Sequence, residues 1–205
     1  FDTGTGSWTL FFDGSDVGLG SNNVDALHIE DDGSILLSLQ ETGDLPGLGS
    51  VKDRDVIRFR PTATGADTAG TYEMVFDGSA KRLKDIDALG RAPDGRLLLS
   101  TTGKLKAPDI SARDEDLVAY DISTDSFALY FDGSDVGLRS LTLDAFDVIG
   151  RDEILLSFTE AGSIPGIAGT VDDSDIVKFT ATRLGSITEG TFELYFDGSD
   201  VGLGA

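Results

Sequence analysis

The chain contains no cysteine, a single histidine and only six lysines in 205 residues. Without cysteine it forms neither a disulfide nor a thiolate metal site, and His28 alone cannot supply a zinc site, which needs several His or Cys ligands. No Gly-x-Ser-x-Gly segment occurs, so the sequence lacks the nucleophile elbow of many serine hydrolases. We assign no catalytic and no cofactor-binding residue, and these absences favour a non-enzymatic protein over an enzyme.

Long apolar runs are also missing, and basic residues are few. No run of 18 apolar residues occurs, which predicts no transmembrane helix and no insertion into a membrane. The formal net charge is −21, and such a chain is repelled by nucleic acid phosphates and by anionic lipid surfaces. We therefore expect no nucleic acid partner. Because the chain starts at Phe1 rather than at Met, we expect a processed product or a fragment.

What the chain does have is repetition. The eight-residue segment Phe-Asp-Gly-Ser-Asp-Val-Gly-Leu, called the tag below, occurs intact at 12–19 (tag 1), 131–138 (tag 3) and 196–203 (tag 4), and in altered form at 76–83 (tag 2). The tag phenylalanines lie 64, 55 and 65 residues apart. A period of this length is typical of one supersecondary unit that is used several times.

The stretch between two tags contains four short runs rich in Val, Ile, Leu, Phe and Tyr. They are an apolar-Asp-Ala-apolar step, a Leu-Leu-Ser run, an apolar run after an Asp-x-Asp pair, and an aromatic run that ends in the tag; the first repeat has them at 24–27, 35–38, 56–59 and 71–76. Gly, Asp, Ser or Pro separates them, which predicts strands joined by turns. Asp outnumbers Glu by 29 to 8 and 26 glycines are present, so the composition disfavours helices.

The sequence therefore predicts an all-β fold of repeated four-stranded antiparallel sheets, each about 60 residues long. We interpret them as β-propeller-type blades, three in number, with one extra N-terminal strand at 7–12; the alternative is another all-β repeat or a β-sandwich. The single repeat domain 1–205 divides into a leading strand and tag (1–19) and repeats at 20–83, 84–138 and 139–203. The Leu-Leu-Ser runs are expected to be central strands buried on both faces.

Three blades leave open edges, because propellers typically close with four to eight blades. Exposed sheet edges pair readily with other chains. We therefore expect one of three outcomes: two chains close into a six-bladed ring, chains add head to tail into a filament, or this chain is a slice of a longer repeat array.

Acidic residues recur at fixed places in the repeats and are the candidates for metal binding. Calcium takes six to eight oxygen ligands, several of them carboxylates, which makes calcium the candidate cofactor. Alternatively each tag is a structural corner between two blades, because Asp-Gly pairs favour turns and Asp side chains bind nearby backbone amides. The candidate ligands are the carboxylates of the tags and of the Asp-Ala steps: Asp13, Asp16, Asp25, Asp77, Asp87, Asp132, Asp135, Asp144, Asp197 and Asp200.

The tag, followed by Val-Asp-Ala-Leu, Leu-Leu-Ser and Asp-x-Asp-Val-Ile-x-Phe, resembles tandem repeats in large bacterial and archaeal secreted or surface proteins, over nearly the whole chain. This resemblance implies an extracellular or cell-surface location. The repeats are also similar to the broad class of propeller-forming sequences. That class includes lactonases with a metal in the central channel, but their scattered Glu, Asn and Asp ligands have no match here.

Two functions are compatible with these patterns. The favoured one is a non-enzymatic extracellular structural or adhesive module that associates through its ends, with calcium as a candidate ligand. The alternative is a propeller-type metal-dependent hydrolase or lactonase, or a ligand-binding propeller. Repetition favours the first function, because the residues of a catalytic site need different roles and so break the symmetry of a repeat.

Overall fold

The computed structural model describes residues 4–81, 83–107 and 110–203, which form short antiparallel strands joined by turns. The strands are β1 (Val24–Ile29), β2 (Ile35–Leu39), β3 (Gly43–Leu45), β4 (Gly49–Val51), β5 (Val56–Ala63), β6 (Ala69–Phe76), β7 (Ala88–Arg91), β8 (Leu97–Ser100), β9 (Leu105–Ala107), β10 (Ile110–Ala112), β11 (Leu117–Asp121), β12 (Ser126–Phe131), β13 (Leu143–Val148), β14 (Glu153–Phe158), β15 (Ile176–Arg183) and β16 (Glu189–Phe196). No helix in the described ranges exceeds four residues; the helical turns are α1 (Gly78–Lys81) and the 3-10 turns Gly14–Val17, Gly133–Val136 and Ser199–Val201.

Three four-stranded sheets dominate the structure, one in each repeat. Their strand orders are β1-β2-β5-β6 (block 1), β7-β8-β11-β12 (block 2) and β13-β14-β15-β16 (block 3). All neighbouring strands in them are antiparallel. The predicted all-β fold of repeated four-stranded antiparallel sheets is therefore confirmed.

The Leu-Leu-Ser runs occupy the second strand of each block. Every residue of β2 and β8 is buried, as expected for strands covered on both faces, whereas β14 buries every second residue. The fourth strands carry mixed polar and apolar residues, and those of blocks 1 and 3 are largely exposed or half-buried. The apolar second strands thus form the interior of each block.

The blocks share irregularities as well as strands. In each fourth strand the residue before the tag phenylalanine is left out of the ladder; these residues are Val75, Tyr130 and Tyr195. A bulge of this kind bends a strand and sharpens its twist. Its recurrence in all three blocks shows that they are equivalent structural units.

Two features differ from the sequence expectation. The proline-containing loop of blocks 1 and 2 forms a small extra hairpin, β3–β4 or β9–β10. The predicted leading strand at 7–12 is wrong, since among the described residues no strand precedes β1 and Phe12 makes only an isolated bridge to Gly65. The equivalent run of a later block is a strand because it pairs with the third strand of its own block, whereas no described strand pairs with 7–12.

Two glycines lie inside strands and not in turns. Gly70 and Gly190 each belong to a fourth strand and pair with Pro61 and Ala181 of the third strand. A Cβ on Gly70 would stand 2.4 Å from the ring of Phe59. Glycine is present there because a ring crosses the strand, and it does not mark a turn.

The chain divides into two compact units, Phe1–Ala80 and Lys81–Ala205. The first contains block 1, with a core that includes Ile35, Leu37, Ile57 and Phe59. The second contains blocks 2 and 3, whose facing sheets share one apolar core; its members include Leu98, Phe131, Phe158 and Phe179.

Candidate functional site: repeated tag contacts

The tag folds into the same turn at its three intact copies. The first Asp accepts hydrogen bonds from the main-chain N–H and the hydroxyl of the Ser two residues later, at 3.0 and 2.6 Å for Asp13, and 3.1 and 2.6 Å for both Asp132 and Asp197. The turn ends at the second glycine of the tag, which lies in the left-handed region with φ of +89°, +91° and +79° at Gly18, Gly137 and Gly202. Glycine adopts that conformation without steric cost.

The second Asp of tag 1 reaches across to the β5–β6 hairpin. Its Oδ2, on Asp16, accepts a 2.9 Å hydrogen bond from the N–H of Thr68. The Thr68 hydroxyl accepts one from the N–H of Asp13 at 2.9 Å and donates to the carbonyl of Gly65 at 2.8 Å. The N–H of Gly65 donates to the Phe11 carbonyl at 2.8 Å. Three of these bonds therefore join the tag and the preceding Phe11 to the hairpin loop, and the Thr68–Gly65 bond lies within the loop itself.

Tag 3 makes the same bonds with the β15–β16 hairpin. Asp135 accepts from the N–H of Thr188 at 3.0 Å, and the Thr188 hydroxyl accepts from the N–H of Asp132 at 2.9 Å. The N–H of Gly185 donates to the Tyr130 carbonyl at 2.8 Å. We call this set of contacts, a tag on the Gly-x-x-Thr loop of a hairpin, the latch.

Apolar contacts accompany the polar ones in both latches. The rings of Phe12 and Phe59 lie 5.3 Å apart, edge to face, and those of Phe131 and Phe179 lie 5.1 Å apart in the same arrangement. The tag glycine also packs on the proline loop, since a Cβ on Gly18 would stand 2.7 Å from Cδ of Pro46 and one on Gly137 would stand 2.8 Å from Cγ of Pro165. The latch thus joins a tag to two loops of one block.

A second carboxylate holds each of tags 3 and 4 to the block that precedes it. Asp116 accepts from the N–H of Gly133 at 2.9 Å and of Arg113 at 2.8 Å, and Asp175 accepts from the N–H of Gly198 at 3.0 Å. Burial raises the pKa of Asp116 to about 6. These residues belong to the Asp-x-Asp pairs, and tag 3 is consequently bonded to block 2 on one side and to block 3 on the other.

The middle repeat departs from the latch on both sides of the contact. Tag 2 has Ala80 in place of the second Asp, and the β11–β12 hairpin is too short to contain a Gly-x-x-Thr loop. Instead Lys81 forms an ion pair with Asp125, whose Oδ1 also accepts a 2.7 Å bond from the Tyr120 hydroxyl. The middle repeat therefore lacks both partners of the latch, the second Asp of the tag and the Gly-x-x-Thr loop of the hairpin.

The ten candidate metal ligands do not converge on one place. Asp13, Asp132 and Asp197 are used in turns, Asp77 accepts from the N–H of Ala80 at 3.0 Å, and Asp16 and Asp135 are used in latches. Asp87 is buried, Asp25 is half-buried, and Asp144 and Asp200 are exposed. Within the described ranges no group of three His, Cys, Asp or Glu side chains could hold a metal ion. Calcium binding stays a prediction, and a cation at the tags would compete with the N–H donors already bound there.

Sequence reasoning missed Thr68 and Thr188, which receive the latch. A signal was present, because the Gly-x-x-Thr spacing recurs at 65–68 and 185–188 and is lacking in the hairpin that follows Ala80. The second tag Asp and the hairpin Thr occur together in two repeats and are both missing from the third, which indicates a contact between them.

Glu115 is a buried acid in block 2. Glu115 is 1% exposed, and neither carboxylate oxygen makes a hydrogen bond within the described part of the chain. Burial, with the neighbouring Asp114 and Asp116 as lesser causes, raises its pKa to about 7. The equivalent positions in the other blocks are Arg54 and Ser174, so this acid is not a repeated feature.

Comparisons with known proteins add little. No family model matches the chain, and no curated protein matches it. A solved structure described as YCF48 bound to D1 peptide is similar, with 13% sequence identity and a TM-score of 0.41, over 85% of this chain and 50% of that one. This score is too low to assign a common fold, and the chain spans half of that protein's length. No helix in the described residues is long and apolar enough to cross a membrane.

Proposed function

We propose that this chain is a β-propeller-type repeat module with a non-enzymatic structural or adhesive role at the cell surface or outside the cell, and that it associates with itself through its ends. The observation that carries the proposal is the latch, which occurs twice with the same three hydrogen bonds between the tag region and the hairpin loop. A chemistry that is repeated to join neighbouring units serves assembly, whereas a catalytic site needs residues with different roles.

The four-stranded meanders support the propeller part of the proposal. Each block follows the strand order of a propeller blade, and blocks 2 and 3 cover each other's apolar faces, as repeat architectures require. The extracellular setting is supported by the sequence resemblance and by the charge of −21, which keeps an exposed module soluble. No described residue cluster favours the hydrolase alternative.

The mass of the protein in solution tests this function. Light scattering over a range of concentrations, with electron micrographs of the same samples, is expected to show oligomers that grow with concentration as rings or fibres. Parallel samples with calcium and with a chelator report whether calcium contributes. A strict monomer at every concentration, or hydrolysis of lactone substrates that disappears on metal removal, would contradict the proposal.

A further inference from the structure

Tag 4 forms no latch with any described residue. Tag 4 adopts the same turn as tags 1 and 3, is bonded to block 3 through Asp175, and closes with a 2.9 Å bond from the N–H of Leu203 to the Gly198 carbonyl. Asp200, the counterpart of Asp16 and Asp135, is exposed and makes no hydrogen bond to any described residue.

The apolar half of tag 4 is equally uncovered. Val201 and Leu203 are each 49% exposed, whereas Val17 and Leu19 of tag 1 are 8% and 4% exposed. The two tags have the same eight residues. Tag 4 therefore has the same turn as tag 1, but no described hairpin covers its apolar side chains.

Tag 1 is incomplete in the opposite sense. In tags 3 and 4 the first glycine sits against the preceding block, where a Cβ on Gly133 or Gly198 would stand 2.2 or 2.3 Å from a carbonyl oxygen of that block. A Cβ on Gly14 of tag 1 would meet only side chains of the tag region, the nearest atom being Cβ of Leu19 at 3.2 Å. Among the described residues, tag 1 is bonded only to the block that follows it.

The sheet faces at the two ends are complementary in the same way. At the junction of blocks 2 and 3, the N–H of Leu143 donates to the Asp114 carbonyl at 3.0 Å and the Phe146 ring lies against Gly90. Leu143 and Phe146 are 0% and 8% exposed, but their counterparts in block 1, Val24 and Leu27, are 38% and 47% exposed.

The carbonyl that would receive such a strand is available on block 3. Asp173, the counterpart of Asp114, lines an open groove together with Ser157, Asp175, Ile176 and Leu203. This groove lies at the same end of block 3 as tag 4. Block 3 thus presents the half of a block junction that carries the acceptor carbonyl, and block 1 presents the half that carries the donor strand.

We propose that tag 4 of one chain replaces tag 1 on block 1 of a second copy of this chain, with Asp200 accepting the hydrogen bond of the second copy's Thr68 N–H. Because the two tags are identical in sequence, the hairpin that binds tag 1 offers tag 4 the same bonds. Block 3 of the first copy then packs on the exposed Val24 and Leu27 of the second copy, as block 2 packs on block 3 within one chain. This contact rests on the proposed function and names the surface through which association occurs.

Competition between the two tags controls the assembly. Tag 1 is covalently tied to block 1, so its effective concentration at the hairpin is on the order of millimolar. Tag 4 of another copy has to displace it, and self-association of the natural chain should therefore need high concentration. Weakening tag 1 alone should favour assembly.

The test uses variants of the 205-residue chain and sedimentation velocity at matched concentrations. Asp16→Ala removes the Thr68 bond of tag 1 and leaves tag 4 intact, so we expect roughly tenfold stronger self-association than in the natural chain. Adding Asp200→Ala should abolish the gain. Adding Asp147→Ala instead, which removes an exposed carboxylate on β13, should leave the gain unchanged. If Asp16→Ala does not fold, Asp16→Asn replaces it, because its amide oxygen still accepts from Thr68 more weakly.

Two results would overturn this contact. In one, Asp16→Ala associates no more strongly than the natural chain; in the other, the Asp16→Ala, Asp200→Ala double variant associates as strongly as Asp16→Ala alone. In the second case association persists through another surface, so the proposed function stands while the latch exchange fails. If the natural chain and every variant are monomers, both the proposed function and the latch exchange are contradicted.

Discussion

Asp135 accepts a 3.0 Å hydrogen bond from the main-chain N–H of Thr188, 53 residues further along the chain. Asp16 and Thr68 repeat this relationship at a separation of 52 residues. The bond ties the end of one repeat to the outer hairpin of the next. Tag 3 is thus a joint between two consecutive sheets.

Replacing Asp135 by Ala should lower the free energy of unfolding by about 1 kcal/mol, because the N–H of the buried Thr188 loses a charged acceptor. The loss stays modest because the Asp135 carboxylate itself is exposed to water. Denaturant unfolding measures the change. Asp144→Ala removes an exposed carboxylate from block 3, the block to which Asp135 is bonded, and should cost less than about 0.5 kcal/mol. Equal losses in the two variants would show that the latch bond adds nothing to stability.

The first tag glycine should tolerate a side chain in tag 1 and not in tag 3. A Cβ on Gly133 would stand 2.2 Å from the Glu115 carbonyl oxygen, whereas on Gly14 its nearest contact would be at 3.2 Å. We expect Gly133→Ala to cost about 3 kcal/mol or more and Gly14→Ala to cost about 1 kcal/mol or less. Thermal unfolding of the two variants compares them directly, and the prediction fails if Gly14→Ala is the more damaging change.

Glu115 should make stability fall as the pH rises. Its pKa is about 7 in the folded chain against an ordinary value of 4.5, so the protonated form is the one that the fold favours. Its contribution is fully present below about pH 4.5 and is lost between that pH and about 7. Glu115→Gln should therefore match the natural chain at pH 4 and exceed its stability by about 1–3 kcal/mol at pH 8.

Chemical denaturation across this pH range measures the difference between the two chains. The control is Glu189→Gln, an exposed residue on β16, which should show no such divergence. A constant gap between Glu115→Gln and the natural chain from pH 4 to pH 8 would contradict the assignment of the proton to Glu115.

Asp125 should control the ionisation of Tyr120 in the short hairpin. Burial, followed by the bond to Asp125, raises the pKa of Tyr120 to about 12. Asp125→Asn keeps a residue that tolerates the φ of +52° at this position. It should lower the pKa of Tyr120 while leaving it above 10, since burial remains. Ultraviolet titration of the tyrosines measures this shift against Asp147→Asn, and an unchanged curve would show that Asp125 has no influence.

Sequence by itself determined the all-β class, the period and the four strands of each repeat. Those features depend on local patterns: apolar runs such as 35–38 and turn pairs such as Asp-Gly set strands and turns within a few residues of one another. It left open whether the recurring Asp residues bind calcium or cap turns, because both uses demand the same side chain.

The tertiary structure decided what each carboxylate touches. Only folding brings Asp16 to Thr68 and Asp135 to Thr188, over separations that no local rule spans, and it leaves Asp200 exposed with its turn already formed. It also showed that Gly70 admits the ring of Phe59 and is not part of a turn. Hydrogen bonds and packing between distant segments depend on the arrangement of whole sheets, and that arrangement is a property of the folded chain.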